Sequence, residues 1–293
     1  MRKVLVFDGS NVIMRAYYAV PKLSTGEGFP TNAIKGTVNI VVSTVMKIRP
    51  THVVFVVDGD KPTFRHKLYA EYKGTRSRDP EVSESIRQQK PVLFDLLTSM
   101  GIHVEIANGV EADDIIGAIA HQAKDTDKVY IVSNDKDLAQ CLRKNVYILR
   151  QCPKTKTQIR ITRKMCEEVY GAKPKRIPCM LMMLGDSVDN VPGVKGIGAA
   201  AVRKLLVTSK RVEKADTSVL NKAQRAAFEA AASSFPLIRK LVEVDTSSIV
   251  CRFSHYRLKT PDVKQAIRIT KALESPALRK TVESFAAAEL RRK

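Results

Sequence analysis

Four short apolar runs punctuate the first half of the chain, at residues 4–7, 52–57, 102–106 and 129–132. They are strand-sized and lean heavily on Val, Ile, Leu and Phe, so they read as strands buried in a sheet. Between them the period changes. Ile34, Val38, Val41, Val42 and Val45 mark the apolar side of a helix over about 32–48. Helices are likewise predicted from about residue 11, over 83–99 and over 111–123. Strands alternating with helices imply βαβ units, hence an α/β fold with a mostly parallel sheet flanked by helices. Short strands are also predicted at 145–149 and 157–161. From about 163 the pattern turns helical, with helices at 199–206, within 221–243 and within 262–290, and a polar loop at 208–220.

The residues just past each strand are more informative than the strand itself. The first strand stops at Asp8-Gly9-Ser10-Asn11, the second at Asp58-Gly59, and the fourth at Ser133-Asn134-Asp135-Lys136-Asp137. A single Asp-Gly is an ordinary turn signal. Repeated at strand ends it carries more, because open α/β sheets bind ligands beyond the carboxyl ends of their strands. The third strand leads into Gly109-Val110-Glu111-Ala112-Asp113-Asp114, three carboxylates within four residues. Acidic residues favour the first turn of a helix for dipole reasons alone. Three like charges this close nevertheless raise one another's pKa and require a cation nearby. Hard oxygen ligands suit Mg²⁺ or Mn²⁺. One sheet edge can gather Asp8, Asp58, Glu111, Asp113, Asp114, Asp135 and Asp137.

Charge changes the picture of the second half. The 293 residues carry a formal net charge of +20, divided unevenly. Residues 1–149 hold 20 Lys/Arg against 17 Asp/Glu, a net of +3; residues 150–293 hold 30 against 13, a net of +17. Solubility charge seldom divides so unevenly, and a polyanion such as nucleic acid is the expected partner. Residues 61–91 interleave Lys61, Arg65, Lys67, Lys73, Arg76, Arg78, Arg87 and Lys90 with Phe64, Tyr69 and Tyr72, a composition suited to gripping phosphates and stacking on bases. Further on, Asp186 and Asp189 are three apart, so one helical turn aims both at one place. Directly after them, Gly193-Val194-Lys195-Gly196-Ile197-Gly198 forms a glycine turn ahead of a helix N-terminus, a receptor for phosphate.

No apolar run approaches the ~18 residues of a membrane span, and no secretory signal is evident. The five cysteines are odd in number and lack a Cys-x-x-Cys pair, so a reducing, intracellular compartment fits and a disulfide framework or structural zinc does not. That compartment is a bacterial cytoplasm or nucleoid, or an organelle or nucleus in a eukaryote.

In order along the chain, Asp8-Gly-x-Asn11, Asp58-Gly59, Phe64-Arg65, Tyr72-Lys73-x-x-Arg76, Gly109-Val-Glu-Ala-Asp-Asp114, Asp135-x-Asp137 and Gly185-Asp-x-x-Asp-Asn-x-x-Gly-Val-x-Gly-Ile-Gly198 resemble the motifs of the 5′-nuclease family, the flap endonucleases and 5′→3′ exonuclease domains of bacterial type I DNA polymerases. The resemblance spans roughly residues 4–205. It implies a PIN-like nuclease core over 1–162, with a helical arch at about 61–99. A basic helical DNA-binding region would follow over 163–293, with a helix-three-turn-helix at about 180–207. By the same match Asp8, Asp58, Glu111, Asp113 and Asp114 fall on a first metal group, and Asp135, Asp137, Asp186 and Asp189 on a second. Two Mg²⁺ or Mn²⁺ ions are implied, with K⁺ at the hairpin. Lys73 and Arg76 match a catalytic basic pair at the scissile phosphate. Arg65, Tyr72, Gly193, Lys195, Gly196 and Gly198 match DNA-contacting positions. Asn134 stands where bacterial members often have glycine; both tolerate left-handed backbone.

The implied activity is metal-dependent hydrolysis of phosphodiesters near a 5′ end, by 5′→3′ exonuclease and flap-endonuclease cleavage. The expected partner is branched or nicked duplex DNA with a 5′ end or flap, or an RNA–DNA hybrid, bound by a monomer away from membranes. Two alternatives share these residues: a non-catalytic branched-DNA-binding protein and a PIN-type ribonuclease. No polymerase domain follows, so the chain is a stand-alone nuclease or part of something longer.

Overall fold

The computed structural model describes residues 1–76, 79–155, 157–209 and 211–292. Six strands form one sheet in the order β3-β2-β1-β4-β5-β6: β1 (Lys3–Asp8), β2 (His52–Asp58), β3 (His103–Ala107), β4 (Lys128–Val132), β5 (Val146–Gln151) and β6 (Gln158–Ile161). β1 to β5 run parallel and β6 is antiparallel to β5. The central strands alternate between two apolar layers. Val4, Val6, Val54, Val56, Val129 and Ile131 face one, while Leu5, Phe7, Val53, Phe55, Tyr130 and Val132 face the other. Burial on both sides explains why the strands read as unbroken apolar runs.

The order reverses at β1, which has β2 on one side and β4 on the other. That reversal opens a crevice at the carboxyl edge, the usual ligand position in such sheets. Gly9 and Gly59 let the edge close tightly. A Cβ on Gly9 would lie 2.5 Å from the Phe55 ring, and one on Gly59 would lie 2.3 Å from the Ala107 carbonyl oxygen. Neither glycine has a positive φ, so these Asp-Gly pairs serve close packing rather than a left-handed turn.

Helices α1 (Gly9–Ala19), α2 (Asn32–Ile48) and α4 (Pro80–Ser99) cover one face; the short α3 (Phe64–Leu68) precedes α4. Helix α5 (Ala112–Gln122) lies on the other face with α6 (Cys166–Tyr170), α7 (Ile177–Leu184), α8 (Ala199–Thr208), α9 (Lys222–Ala231) and α10 (Phe235–Val242). The chain then crosses back. Helices α11 (Val263–Ala272) and α12 (Pro276–Leu290) pack on α4 and α2, burying Leu278, Val282 and Phe285 in the layer that holds Phe7 and Leu96. Residues 163–293 therefore divide between the two faces. The predicted loop at 208–220 contains 3₁₀ turns at Val212–Lys214 and Thr217–Val219.

The segment expected as an arch is only partly free of the core. From Ile86 onward α4 buries Leu93, Leu96 and Leu97. Its Gln89, 1% exposed, accepts from the Ala33 and Ile34 N–H groups at 2.8 and 3.1 Å. It thereby caps α2, whose own N-cap Thr31 makes no side-chain cap bond. What this segment brings to the crevice is Lys73, Thr75 and Arg76, from the turns at 69–76. Arg78 lies outside the described residues. No helix of the described residues is long and apolar enough to cross a membrane.

Candidate active site

The acidic side chains are delivered by strand ends, by the start of a helix and, for Asp186 and Asp189, by the turn after α7. Asp8 ends β1 and caps α1, accepting from the Asn11 N–H at 3.1 Å and from the Ser133 hydroxyl at 2.6 Å. Asp58 ends β2 and accepts from the Ala112 N–H at 3.0 Å, which ties β2 to the first turn of α5. Glu111 is the N-cap of α5. Asp135 follows β4 and accepts from the Asp137 N–H at 2.8 Å. Asp186 holds the turn after α7, accepting from the Val188 and Asp189 N–H groups at 2.8 and 3.3 Å.

Asp8, Asp58, Glu111, Asp113 and Asp135 line one crevice of about 500 Å³, walled by Lys73, Thr75 and Arg76 on one side and Ser187 and Val188 on another. Asp137, Asp186 and Asp189 adjoin it through the fields they exert on Asp135 and on one another. Burial pushes the Asp8 carboxyl up to about 7, against hydrogen bonds from Ser133 and Asn11, with Asp135 and Asp58 adding repulsion. Asp113 is raised well above the carboxylate range by burial and then by Asp135, Asp8, Asp58 and Glu111. Burial and the charges of Asp135 and Asp186 lift Asp137 to about 8. Asp58 and Asp186 resist burial and go down, Asp58 through the Ala112 N–H and Ser10, Asp186 through Lys136.

Excess negative charge of this kind needs a cation. Among the described residues no three Asp, Glu, His or Cys side chains close into a complete ligand cage. Divalent ions that keep most of their waters do not need one; they take one or two carboxylates each. Asp137 Oδ1, buried with no hydrogen-bond partner, is an orphaned oxygen of the kind such an ion satisfies. The residues fit hard divalent cations.

Protein cations meet part of the charge. Lys73 Nζ lies 2.7 Å from Glu111 Oε1, Arg76 pairs with Asp189, and Lys136 Nζ is 2.9 Å from Asp186 Oδ2. The Lys73 N–H donates to the Asp189 carbonyl at 2.9 Å, and the Asn190 side chain donates to the Glu71 carbonyl at 2.8 Å. The start of the arch is thereby laced to the second acidic group. Lys73 and Asn190 both sit in left-handed backbone, φ 58° and 54°, a strain that persists only where surroundings enforce it.

Three expectations change here. Asp114 does not face the crevice. It is fully buried, and its oxygens accept from Arg65 at 2.7 and 2.8 Å, from the Glu111 N–H at 3.1 Å and from the Asp245 N–H at 2.9 Å. With those bonds made, it is the clasp of the α5 start rather than a metal ligand. Arg65, expected on DNA, is 2% exposed and also donates to the Leu241 and Glu243 carbonyls at 3.0 and 2.9 Å. It joins α3, α5 and the end of α10. Tyr72, expected to stack on a base, is 3% exposed, its hydroxyl 3.2 Å from Glu111 and 3.0 Å from Asp189. Asn134 keeps a negative φ and instead accepts from the Gln151 N–H at 2.8 Å. Ser133 and Lys136 were not singled out from sequence, although both stand in the acidic motif after β4.

The glycine hairpin lies between α7 and α8. Val194 and Ile197 are buried, and the Val194 N–H donates to the Met183 carbonyl at 2.8 Å. Between these anchors Lys195 and Gly196 are exposed, as is Gly198, the N-cap of α8. Gly196, at φ 78° with open space around it, permits the turn. The arrangement presents a helix N-terminus and one lysine to solvent, suited to a phosphate.

Comparison with known proteins matches this geometry. The 5′-3′ exonuclease N-terminal resolvase-like domain profile matches residues 3–171, and the 5′-3′ exonuclease C-terminal SAM fold profile matches residues 172–264. A 5′-3′ exonuclease of Aquifex aeolicus (strain VF5) is 34% identical over 97% of this chain and 96% of its own length. DNA polymerase I of Bacillus subtilis (strain 168) is 37% identical over 73% of this chain, which covers 24% of that longer protein. Among solved structures, a bacteriophage T5 flap endonuclease in a pseudo-enzyme–product complex with DNA and metal ions superposes with a TM-score of 0.68, at 18% identity over 97% of this chain and 98% of that one. An acidic crevice at the carboxyl edge, a basic start to the arch and a glycine hairpin, carried by both domain matches, place this chain in the 5′-3′ exonuclease family.

Proposed function

We propose that the chain hydrolyses phosphodiesters near the 5′ end of DNA as a divalent-metal-dependent, structure-specific 5′ nuclease, acting as 5′→3′ exonuclease and flap endonuclease. The observation that carries this reading is the crevice itself: five carboxylates line it, two of them with strongly raised pKa values, and Lys73 and Arg76 stand at its wall. Asp8, Asp58, Glu111 and Asp113 are assigned to one ion, and Asp135, Asp137, Asp186 and Asp189 to a second. Mg²⁺ or Mn²⁺ suits oxygen ligands of this hardness. When bound, the ions supply charge neutralisation at the phosphate and a water nucleophile available at neutral pH.

The chain's own groups do the rest. Lys73 and Arg76, now on Glu111 and Asp189, can exchange a carboxylate for a phosphate oxygen with little movement. There they stabilise charge that grows in the transition state. Ser133 and the Asn11 N–H fix the Asp8 carboxylate, and the Ala112 N–H fixes that of Asp58, so neither must reorganise. The exposed Lys195–Gly198 turn grips the duplex, with K⁺ assigned to the same turn, and the net +17 of residues 150–293 supports binding to a polyanion. Nicked or branched DNA with a 5′ flap is the proposed substrate, RNA paired to DNA a second one, and the monomer the working form.

A labelled 5′-flap DNA and a single-stranded RNA of equal length, each with Mg²⁺, test the reading together. Cleavage near the flap junction with the RNA left intact is expected. Cleavage of the RNA alone favours a ribonuclease, and binding of the flap without cleavage favours a non-catalytic protein.

A further inference from the structure

A second cleft is larger than the acidic crevice. It measures about 1480 Å³ and lies behind it, between the later turns of α5, the β4–β5 connection, the segment 162–176 and the start of α7. Nine Lys or Arg residues line it against two acids, Glu167 and Glu243. Arg143 and Arg239 are committed, Arg143 to the His121 and Ala123 carbonyls and Arg239 to Glu213. Lys144, Arg163, Lys164 and Lys175 are exposed and make no ion pair among the described residues. Like charges gathered in one concavity repel one another and raise the affinity for an anion.

We propose that this cleft is a second site for the phosphate backbone of duplex nucleic acid, separate from the glycine hairpin. The inference rests on the nuclease reading, which supplies the polyanion. Its volume exceeds the several hundred Å³ typical of small-molecule pockets. The ring side chains on its wall are His121 and Tyr147, and Tyr147 already stacks on Tyr130 at 5.2 Å and lies under Arg160. With Tyr147 already stacked and His121 the one other ring among nine basic residues, the cleft is equipped for phosphates rather than for a run of bases. Its position suits a duplex already held elsewhere. Pro178 and Cys179, at the start of α7, line the cleft, while Gly193 of the hairpin packs against Leu184 at the end of α7. Eight residues of helix put roughly 12 Å between the two ends. At about 3.4 Å per base pair, an arm of roughly four base pairs or more spans that distance, and a shorter one engages the hairpin alone.

The test uses full-length protein and flap substrates with a short duplex arm of about three base pairs, closed by a loop, or a long arm of about one helical turn (~10 base pairs). Binding is read by fluorescence anisotropy in chelator, without cleavage. The double variant Lys164→Glu/Lys175→Glu is expected to lose about tenfold or more in affinity for the long arm and less than about twofold for the short one, with a salt slope shallower by about two on the long arm only. Both lysines are exposed, so the melting temperature should hold, and the Lys→Gln pair should reproduce a smaller loss with the same length dependence. Wild-type affinity for the long arm, or equal loss on both arms, overturns the proposal. So does a melting temperature raised by inorganic tripolyphosphate in the wild type alone while long-arm affinity is unchanged, the mark of a free-anion site. Failure of the underlying reading looks different: the wild type then binds neither arm.

Discussion

A buried carboxylate without a counter-ion holds its proton, and Asp8 and Asp137 do so up to about 7 and about 8. Their unfolded counterparts titrate near 3.8. Between those values the folded chain binds more protons than the unfolded one. The stability these groups contribute is therefore complete below the unfolded pKa and is lost as pH rises through about 7 to 8. In chelator, the melting temperature should fall between about pH 5 and about pH 9, and Asp8→Asn should flatten that fall while stabilising the metal-free protein by at least about 1 kcal/mol at the alkaline end. A melting temperature that climbs over the same range would contradict it. Asp114 is instead held in a buried ion pair with Arg65. Removing one partner of a buried ion pair typically costs ~3–5 kcal/mol, so Asp114→Asn should lower the urea midpoint sharply. An unchanged midpoint with a raised Mg²⁺ requirement would restore Asp114 as a ligand. Sequence spacing could not separate these neighbours. Adjacent helical residues point about 100° apart, and the rotation of α5 is set by packing. Arg65 looked exposed for a related reason: the carbonyls that bury it belong to Leu241 and Glu243, 176 and 178 residues away.

At the scale of elements, strands and helix starts were legible because their burial is written as period. All six strands and most helices lie within a few residues of their predicted positions. What was not legible is how an amphipathic helix is shared between jobs. Helix α4 has the basic start of an arch and the apolar end of a core helix, and composition alone favoured the arch throughout. The lacing of 71–76 to 188–190 follows from tertiary contact and makes Lys73 a test of chemistry against grip. Lys73→Ala should lower the single-turnover rate at saturating enzyme by ~10²-fold or more. A wild-type rate with weakened binding would make it a phosphate clamp. The hairpin belongs to grip. Lys195→Glu should weaken binding to duplex-bearing substrates more than to single strands, and equal loss on both would remove the hairpin from DNA recognition.

For the whole molecule, the sheet reversal at β1 brings Asp8 from residue 8 and Asp135 from residue 135 to one edge, and Asp186 and Asp189 arrive from the turn after α7, beyond β6. Most of the carboxylates were legible as a set because they sit at strand ends or helix starts, and Asp186 and Asp189 through their spacing; which oxygens stay unpaired was not. The return of α11 and α12 to the opposite face was hidden too, since a helix's period names an apolar side without naming its partner. The function turns on whether the acidic edge is a metal-dependent cleavage centre. Single-turnover cleavage of a 5′-labelled flap, followed as Mg²⁺ is titrated into chelator-treated wild type and Asp113→Asn, tests it most directly. No cleavage is expected in chelator, with full recovery of the wild type in Mg²⁺ and a variant that binds the flap with near wild-type affinity yet cleaves at least ~10²-fold more slowly at every Mg²⁺ concentration. Turnover in chelator, or a variant that cleaves at the wild-type rate, would contradict it.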